Sequence, residues 1–511
     1  MRIRISKRWR IGIPVAAAGM LIANSAALAG SGVVQVSGTD PYAGCTVGAP
    51  GFNYRSAEVE PFVAVNPTNH RNIIGVFQQD RWNNGGAHGL AAGVSFDGGS
   101  SWSTVALPFS TCAHGVPYER ASDPWVSFGP DGTAYAVSIS FDQTTARSDV
   151  AAATSSDGGK TWGNVHELIV DNNPNVLNDK ESVTADPVHP GVAYAIWDRI
   201  DVSQNNQPTY FSKTTDGGKT WSVAKAITNT GQNVGSIGEI IVVDPRNDTL
   251  YDVYDAFTFQ PNGNVATAVE SMKRSTNQGT TWSAPVAISA DQDIGAIDPV
   301  TGALLRTGSG LPDVAIDRKT GELYVVWEDA RFSKGMYDEV ALSTSTDGGQ
   351  HWSTPTRVNK PTGLPAVTPM VAVNDDGTVG VSYLDFRTLP TSDPSTLPTS
   401  YWLTTSPRGG ASFTKEAPII QTPFDLLSAP FAVGYFVGDY QGLTTDNDTF
   451  LSFFAKATGT ETSGSVPSNR TDIFFHSLTF EDEQPVAGGA STSAGAASTQ
   501  RPHGGHESRS V

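Results

Sequence analysis

Residues 95–102 read SFDGGSSW, and the phrase returns as SSDGGKTW, TTDGGKTW, STNQGTTW and STDGGQHW. Its third position falls at Asp97, Asp157, Asp216, Asn277 and Asp347, with successive gaps of 60, 59, 61 and 70 residues. A long fixed period constrains the chain to a repeat architecture, because each unit buries its apolar face only against its neighbours. Around each copy the same order of segments recurs. An apolar segment comes first, as in FVAVNP (62–67), SVTADP or MVAVND, and a second follows a short turn, as in NIIGVFQ, AYAVSIS or ELYVVWE. A third runs into the phrase and a fourth leaves it. Four antiparallel strands per unit, repeated radially, describe the blades of an all-β propeller.

Six units start near 62, 125, 182, 240, 313 and 370, the sixth with the degraded phrase TSPRGGASF. A seventh reads YFVGDYQGLTT, TFLSFFAK and TDIFFHSLTF and lacks a fourth strand, for which VVQVS (33–37) is the expected piece. Closure by an N-terminal strand leaves no unpaired edge. Seven blades are favoured, with six as the alternative.

The propeller is expected over residues 30–484. Before it, Arg2, Arg4, Lys7, Arg8 and Arg10 precede the apolar run IGIPVAAAGMLIA and an Ala27-x-Ala29 site, which reads as a signal peptide over 1–29. The run is shorter than the ~20 residues a membrane span needs, so a secreted or periplasmic protein with no transmembrane segment is expected. Removing those five basic residues takes the formal charge from −18 to about −23, a surface that repels nucleic acid. Residues 485–511, rich in Ala, Gly and Ser, read as a disordered tail. Cys45 and Cys112 are the only cysteines, and an even count in an exported chain favours one disulfide, two free thiols being the alternative. Neither HExxH nor CxxC occurs, so no metal site is assigned and no cofactor is required. The acidic loop DNNPNVLNDKE (171–181) offers oxygens to calcium, but its spacing matches no EF-hand and it reads as a polar loop.

In the repeated phrase, Gly-Gly supplies positive φ to a tight hairpin, Asp accepts from the turn's own amides, and Trp packs over the bend. The phrase resembles the Asp box, S/T-x-D-x-G-x-T-W, of sialidases and other bacterial-neuraminidase-repeat proteins, and the resemblance spans most of residues 33–480. It implies that the boxes are scaffolding on the face opposite an active site.

Strand alternation then puts the chemistry at the other rim. Second segments end in Asp80–Arg81, Asp142, Asp198–Arg199, Asp255, Glu328–Asp329 with Arg331, and Asp385 with Arg387. First segments begin at Glu58 and Glu60, Arg120 and Asp123, Asp179–Lys180–Glu181, Glu239, Asp313, and Asp439–Tyr440. Repeated D-R and D-x-R pairs read as clamps, whereas Glu239, Lys180 and Asp439–Tyr440 depart from the repeat. His88 and His114 read as solvated loop residues.

The resemblance implies an arginine clamp on a sugar carboxylate, a Tyr nucleophile assisted by Glu, and an Asp acid. Arg55 stands where that family has F/Y-R-I-P, although only Tyr-Arg is matched. Arg331 and Arg387 would complete the clamp, with Arg81, Arg120, Asp123 and Arg199 as further substrate contacts. Tyr440, Glu239 and Asp439 would be catalytic. The reading is a monomeric, sialidase-like exo-glycosidase acting on terminal acidic sugars of a glycan. The alternatives are a polysaccharide lyase on uronate-containing glycans and a non-catalytic glycan-binding propeller.

Overall fold

The computed structural model describes residues 28–29, 32–48, 50–228, 231–260, 263–389, 394–463 and 466–480; the expected leader up to residue 27 and the expected tail lie outside them. Among the described residues the regular structure is β-strand, with two short 3₁₀ turns. No helix among the described residues is long and apolar enough to cross a membrane.

The strands fall into antiparallel units in chain order. Unit 1 is Glu58–Val65, Ile73–Arg81, Ala87–Ser95 and Ser103–Ala106. Unit 2 is Arg120–Phe128, Ala134–Phe141, Ser148–Ser155 and Gly163–Asp171. Unit 3 is Val176–Ala185, Ala193–Asp201, Thr209–Thr214 and Lys225–Ala226. Unit 4 is Val234–Asp244, Thr249–Phe259, Val265–Ser275 and Val286–Ala290. Unit 5 is Asp313–Ile316, Leu323–Asp329, Glu339–Ser345 and Thr356–Arg357. Unit 6 is Ala366–Val373, Val379–Asp385, Pro398–Ser406 and Lys415–Pro418. A last group is Gly442–Asp446, Thr449–Ser463 and Val466–Thr479, and onto its final strand Val34–Gln35 pairs at Phe475 and Phe474. Leu28–Ala29, the end of the expected leader, pairs with the same strand at Thr479 and Leu478.

Burial grades across each unit as packing dictates. Second strands such as Ile73–Arg81 are buried along their whole length, because neighbouring units cover both faces. Fourth strands such as Lys225–Ala226 face solvent. The first strands contact one another in chain order, and Gly442–Asp446 in turn contacts Glu58–Val65.

The repeated phrase forms the hairpin between third and fourth strands. Asp97 accepts from the Ser101 amide at 2.9 Å, while Ser95 Oγ donates to Asp97 at 2.8 Å and accepts from the Gly99 amide at 2.9 Å. Asp157, Asp216, Asn277 and Asp347 repeat the arrangement. These self-made hydrogen bonds hold Asp97 and Asp216 down at about 2.

The second glycine of the phrase has a further task. It sits directly against the preceding unit, and a Cβ on Gly279 would lie 2.3 Å from the Phe211 ring of unit 3. At Gly99 the ring met, at 2.2 Å, is Phe475, in the strand that Val34–Gln35 also pairs with. Trp102 follows it, 5.2 Å from Phe475 and 5.6 Å from Phe453. The hairpins are therefore the joints between units.

Two outcomes are expected from melting curves. Gly98, at φ +76 with nothing within 4 Å of a Cβ, tolerates Ala at a backbone cost of roughly 1 kcal/mol. Gly99→Ala adds roughly 1–3 kcal/mol of overpacking against Phe475 and so melts lower than Gly98→Ala. Equal melting would mean that the hairpin does not bear on the neighbouring unit.

Candidate functional site

The first strands do not stay regular along their length. The register slips by an extra residue between Val59 and Phe62, Ser122 and Trp125, Asp179 and Ser182, Ile237 and Ile240, and Val367 and Met370. Each slip carries a residue at positive φ: Glu60 (53°), Asp123 (54°), Lys180 (48°), Gly238 (76°) and Thr368 (52°). The local sequences are VEPF, SDPW, DKES, IGEI and VTPM, three of them with a proline that has no amide to give the ladder. Bulges of this kind interrupt pairing and re-aim side chains. Left-handed backbone at non-glycine residues is strain held in place by surroundings.

Three of these residues, Glu60, Asp123 and Lys180, meet in an ion cluster centred on Lys180. Its Nζ lies 2.7 Å from Asp439 Oδ2, 2.9 Å from Asp123 Oδ2 and 3.6 Å from Glu60 Oε1. Arg306 Nε donates to Asp439 Oδ1 at 2.8 Å and its Nη2 to Oδ2 at 2.5 Å. Arg306 and Arg81 both lie over the Phe436 ring, 4.3 and 5.0 Å from its centroid. Gln78 joins Arg81 (2.7 Å), Ser122 (3.0 Å) and Glu60.

The cluster splits its carboxyl groups. Burial works against ionisation of Asp439, but Lys180 and Arg306 outweigh it and keep the group well below the ordinary carboxylate range. Asp123 is lowered likewise, burial being overcome by Lys180 and a hydrogen bond from Ser122. Burial pushes Glu60 up to about 8, Asp123 adding to the effect and Lys180 opposing it. Burial also lifts Asp179 to about 6, against the pull of Lys180 and with help from Asp123.

Two cavities adjoin the cluster. An open cleft of about 590 Å³ is lined by Arg81, Asp123, Asp179, Arg306, Asn84 and Phe141, among others from units 1 to 3. Behind it, a chamber of about 40 Å³ is lined by Tyr440, Trp125, Glu181, Glu239, Lys180 and Asp439 with several apolar groups. A chamber of that size admits roughly three water molecules. Tyr440 donates to the Pro124 carbonyl at 3.3 Å and packs edge-on against Trp125. Burial raises its hydroxyl well above the ordinary value, with Glu60, Asp123, Glu181 and Asp439 adding to the rise. Glu239 accepts from Thr209 at 2.9 Å and is raised by burial, whereas both Glu181 carboxylate oxygens lack a hydrogen-bond partner.

The structure thus brings Asp439, Tyr440, Glu239, Asp123 and Arg81 to one end of the inner strands and leaves the other expected arginines elsewhere. Arg55 is exposed and donates to the carbonyls of Ala43 and Cys45, beside the Cys45–Cys112 disulfide. Arg120 is buried over Trp82 and binds the carbonyls of Gly48, Pro50 and Gly85. Arg199 pairs with Asp171 in the outer strand of unit 2, which also occupies an acid of the 171–181 loop. Arg331 pairs with Asp329 and reaches the Ala290 carbonyl of unit 4. Arg387 is shared by Asp385 and Glu416 and stacked on Trp402. His88, expected in solvent, is instead buried and hydrogen-bonded to Asp80 at 2.9 Å, because it lies inside the third strand of unit 1; His114 is exposed. The sequence reading did not single out Arg306 or Phe436, and it gave Asp179 no role. The dipeptides at the bulges were the available signal for the level of the site.

No protein-family model and no curated protein matches the chain. Among solved structures it is similar to a protein of unknown function from Dyadobacter fermentans, at 14% identity and TM-score 0.46, covering 88% of this chain and 100% of that one. It is also similar to an alpha-L-arabinanase of Penicillium chrysogenum, at 12% identity and TM-score 0.45, covering 70% and 94%. A Hadza microbial sialidase shows 14% identity and TM-score 0.43, covering 76% and 73%.

Removing the central ammonium should be costly and pH-dependent. Lys180→Met leaves Asp123 without its ammonium and Asp439 with Arg306 alone, an expected loss of roughly 3–5 kcal/mol at pH 8. In the native protein Asp123 and Asp439 are lowered, so their contribution is present above the unfolded value near 3.8 and fades as pH falls through the folded values. In the variant Asp123 has lost its cation and burial raises it, so folding takes up a proton there and stability falls as pH rises. Melting curves at pH 5 and pH 8 should show the larger deficit at pH 8; an equal deficit would contradict the assigned charges.

Proposed function

We propose that the chain is an exported, seven-bladed β-propeller, closed by Val34–Gln35, that hydrolyses glycosidic bonds in the cleft over units 1 to 3. The closed order of first-strand contacts supports the architecture. The disulfide supports an oxidising compartment.

The observation that carries the reaction is the pair Asp123 and Asp179. They line one cleft of sugar-sized volume, and their environments push them in opposite directions, Asp123 down and Asp179 to about 6. Such a separation assigns an acid and an ionised partner. Lys180 serves both, its amide donating to Asp179 at 3.0 Å and its ammonium to Asp123 at 2.9 Å. Asp179 gives its proton to the leaving oxygen as the glycosidic bond breaks. Asp123 faces the positive charge that builds at the anomeric carbon, and water then adds to that carbon and gives up a proton that restores Asp179.

Asp439, gripped by two cations, has no proton to give near neutral pH. Tyr440 and Glu239 lie in the small chamber, whose volume of about 40 Å³ does not admit a sugar ring. Arg81, Arg147 and Arg306 line the cleft, and Asp142 already holds Arg147 while Asp439 holds Arg306. That balance of three cations and three carboxyls suits the hydroxyls of a neutral sugar better than a carboxylate-bearing one. Binding without turnover is favoured by one feature, the complete pairing of Lys180 with Asp123 and Asp439.

The test is a panel of aryl glycosides and polysaccharides offered to the mature protein. Asp179→Asn should cost about 10²-fold or more in kcat where the leaving group needs protonation, and far less with a dinitrophenyl or fluoride leaving group. As a general acid, Asp179 should make kcat/KM fall as pH rises through about 6. Tyr440→Phe should leave turnover within about twofold, and a larger loss would return the nucleophile to Tyr440. No turnover of any member, with glycan binding unaffected by Asp179→Asn, would leave the binding reading.

A further inference from the structure

A second acidic group lies in unit 4, away from Lys180. Asp255 in the second strand and Glu270 in the third are register partners, directly opposite each other, and Asp291 follows the fourth strand at the same level. Like charges facing each other across a strand pair are destabilising. Glu270 is fully buried, and neither of its carboxylate oxygens has a hydrogen-bond partner. Asp255 Oδ1 and Asp291 Oδ2 are likewise buried without a partner. The charges that act most on Glu270 are those of Asp255, Asp291, Asp293 and Asp329, all of one sign.

We propose that Asp255, Glu270 and Asp291 form a calcium site. One oxygen from each lies within 4.8 Å of the others, the end-to-end reach of two calcium–oxygen bonds of about 2.4 Å. An all-carboxylate donor set selects a hard cation and disfavours zinc or copper. The backbone beside the cluster leaves room for an ion. Gly310, at φ +78, passes where a Cβ would stand 3.8 Å from Asp291 Oδ2 and 4.0 Å from Asp255 Oδ2. Asp293, two residues on, donates its amide to Asp291 Oδ1 at 3.0 Å and accepts from Ser309 Oγ. The irregular arrangement suits calcium, whose shell is flexible, better than magnesium, which demands a near-octahedral one.

The site would have a structural consequence. The segment from Asp291 to Pro312 leaves this cluster and carries Arg306, which grips Asp439, and Thr307, which donates to Glu328 at 3.0 Å. An ion fixing both Asp291 and the strands beneath it ties that segment to unit 4. Calcium then acts on the cleft through the position of Arg306, without touching substrate.

The experiment uses the mature protein, freed of metal with EDTA and dialysed. Calcium titration by calorimetry should show one site with Kd on the order of 10⁻⁴ M or tighter, and saturation should raise Tm by a few degrees. Magnesium should bind at least tenfold more weakly. Glu270→Gln and Asp255→Asn should abolish the calcium-dependent rise; Asp291→Asn, nearer the surface, keeps the test open if the buried variants do not fold. Absence of the rise in the native protein, its survival in these variants, or equal binding of magnesium would each overturn the assignment. Melting and calorimetry need no substrate, so this result stands apart from any failure to find hydrolysis.

Discussion

One ammonium group organises the inner end of this molecule. Lys180 projects from unit 3 and meets Asp123 of unit 2, Glu60 of unit 1 and Asp439, which precedes Gly442–Asp446. Segments nearly four hundred residues apart in the chain are thereby joined at a single atom. A buried carboxylate stays ionised only where its charge is answered; Asp123 and Asp439 are answered by Lys180 with help from Arg306, whereas Glu60 beside them is pushed up to about 8. Three of the five bulges supply members of this cluster, their left-handed residues being Glu60, Asp123 and Lys180.

The two ends of the strands obey different logic. The glycine hairpins are nearly identical because each performs the same mechanical task, resting a bare backbone on the unit before it. At the inner level the same bulge recurs, yet its side chain is Glu, Asp, Lys, Gly or Thr. Repetition there is of geometry, and variation of side chain is what makes a site. The unequal titration of Asp123 and Asp179, neighbours of one lysine, is a direct product of that variation.

Much of this was legible in the residues. Strand order, the position of the repeated phrase between third and fourth strands, the N-terminal strand beside the last segment and the Cys45–Cys112 bond all follow from period, alternation and cysteine count. The choice among rim residues was not legible. Arg331 and Arg387 satisfy the aspartates two residues before them, so a D-x-R spelling marks a local clamp. Arg306 lies in the two-residue strand Leu305–Arg306, which pairs with Tyr435–Phe436 outside the repeated units, with no repeat to align it. His88 reads as a loop residue until the third strand is seen to begin at Ala87. Whether a carboxyl faces a cleft or a chamber depends on bulge geometry, which composition does not encode.

The central claim is that ligand chemistry belongs to the cleft beside Lys180 and not to the glycine hairpins at the other end of the strands. Crystals of the mature protein soaked with mono- and oligosaccharides test it most directly. The account expects sugar density between Asp179 and Arg306, in contact with Asp123. Density confined to the hairpins around Asp97 or Asp157, with the cleft holding only solvent, would contradict it.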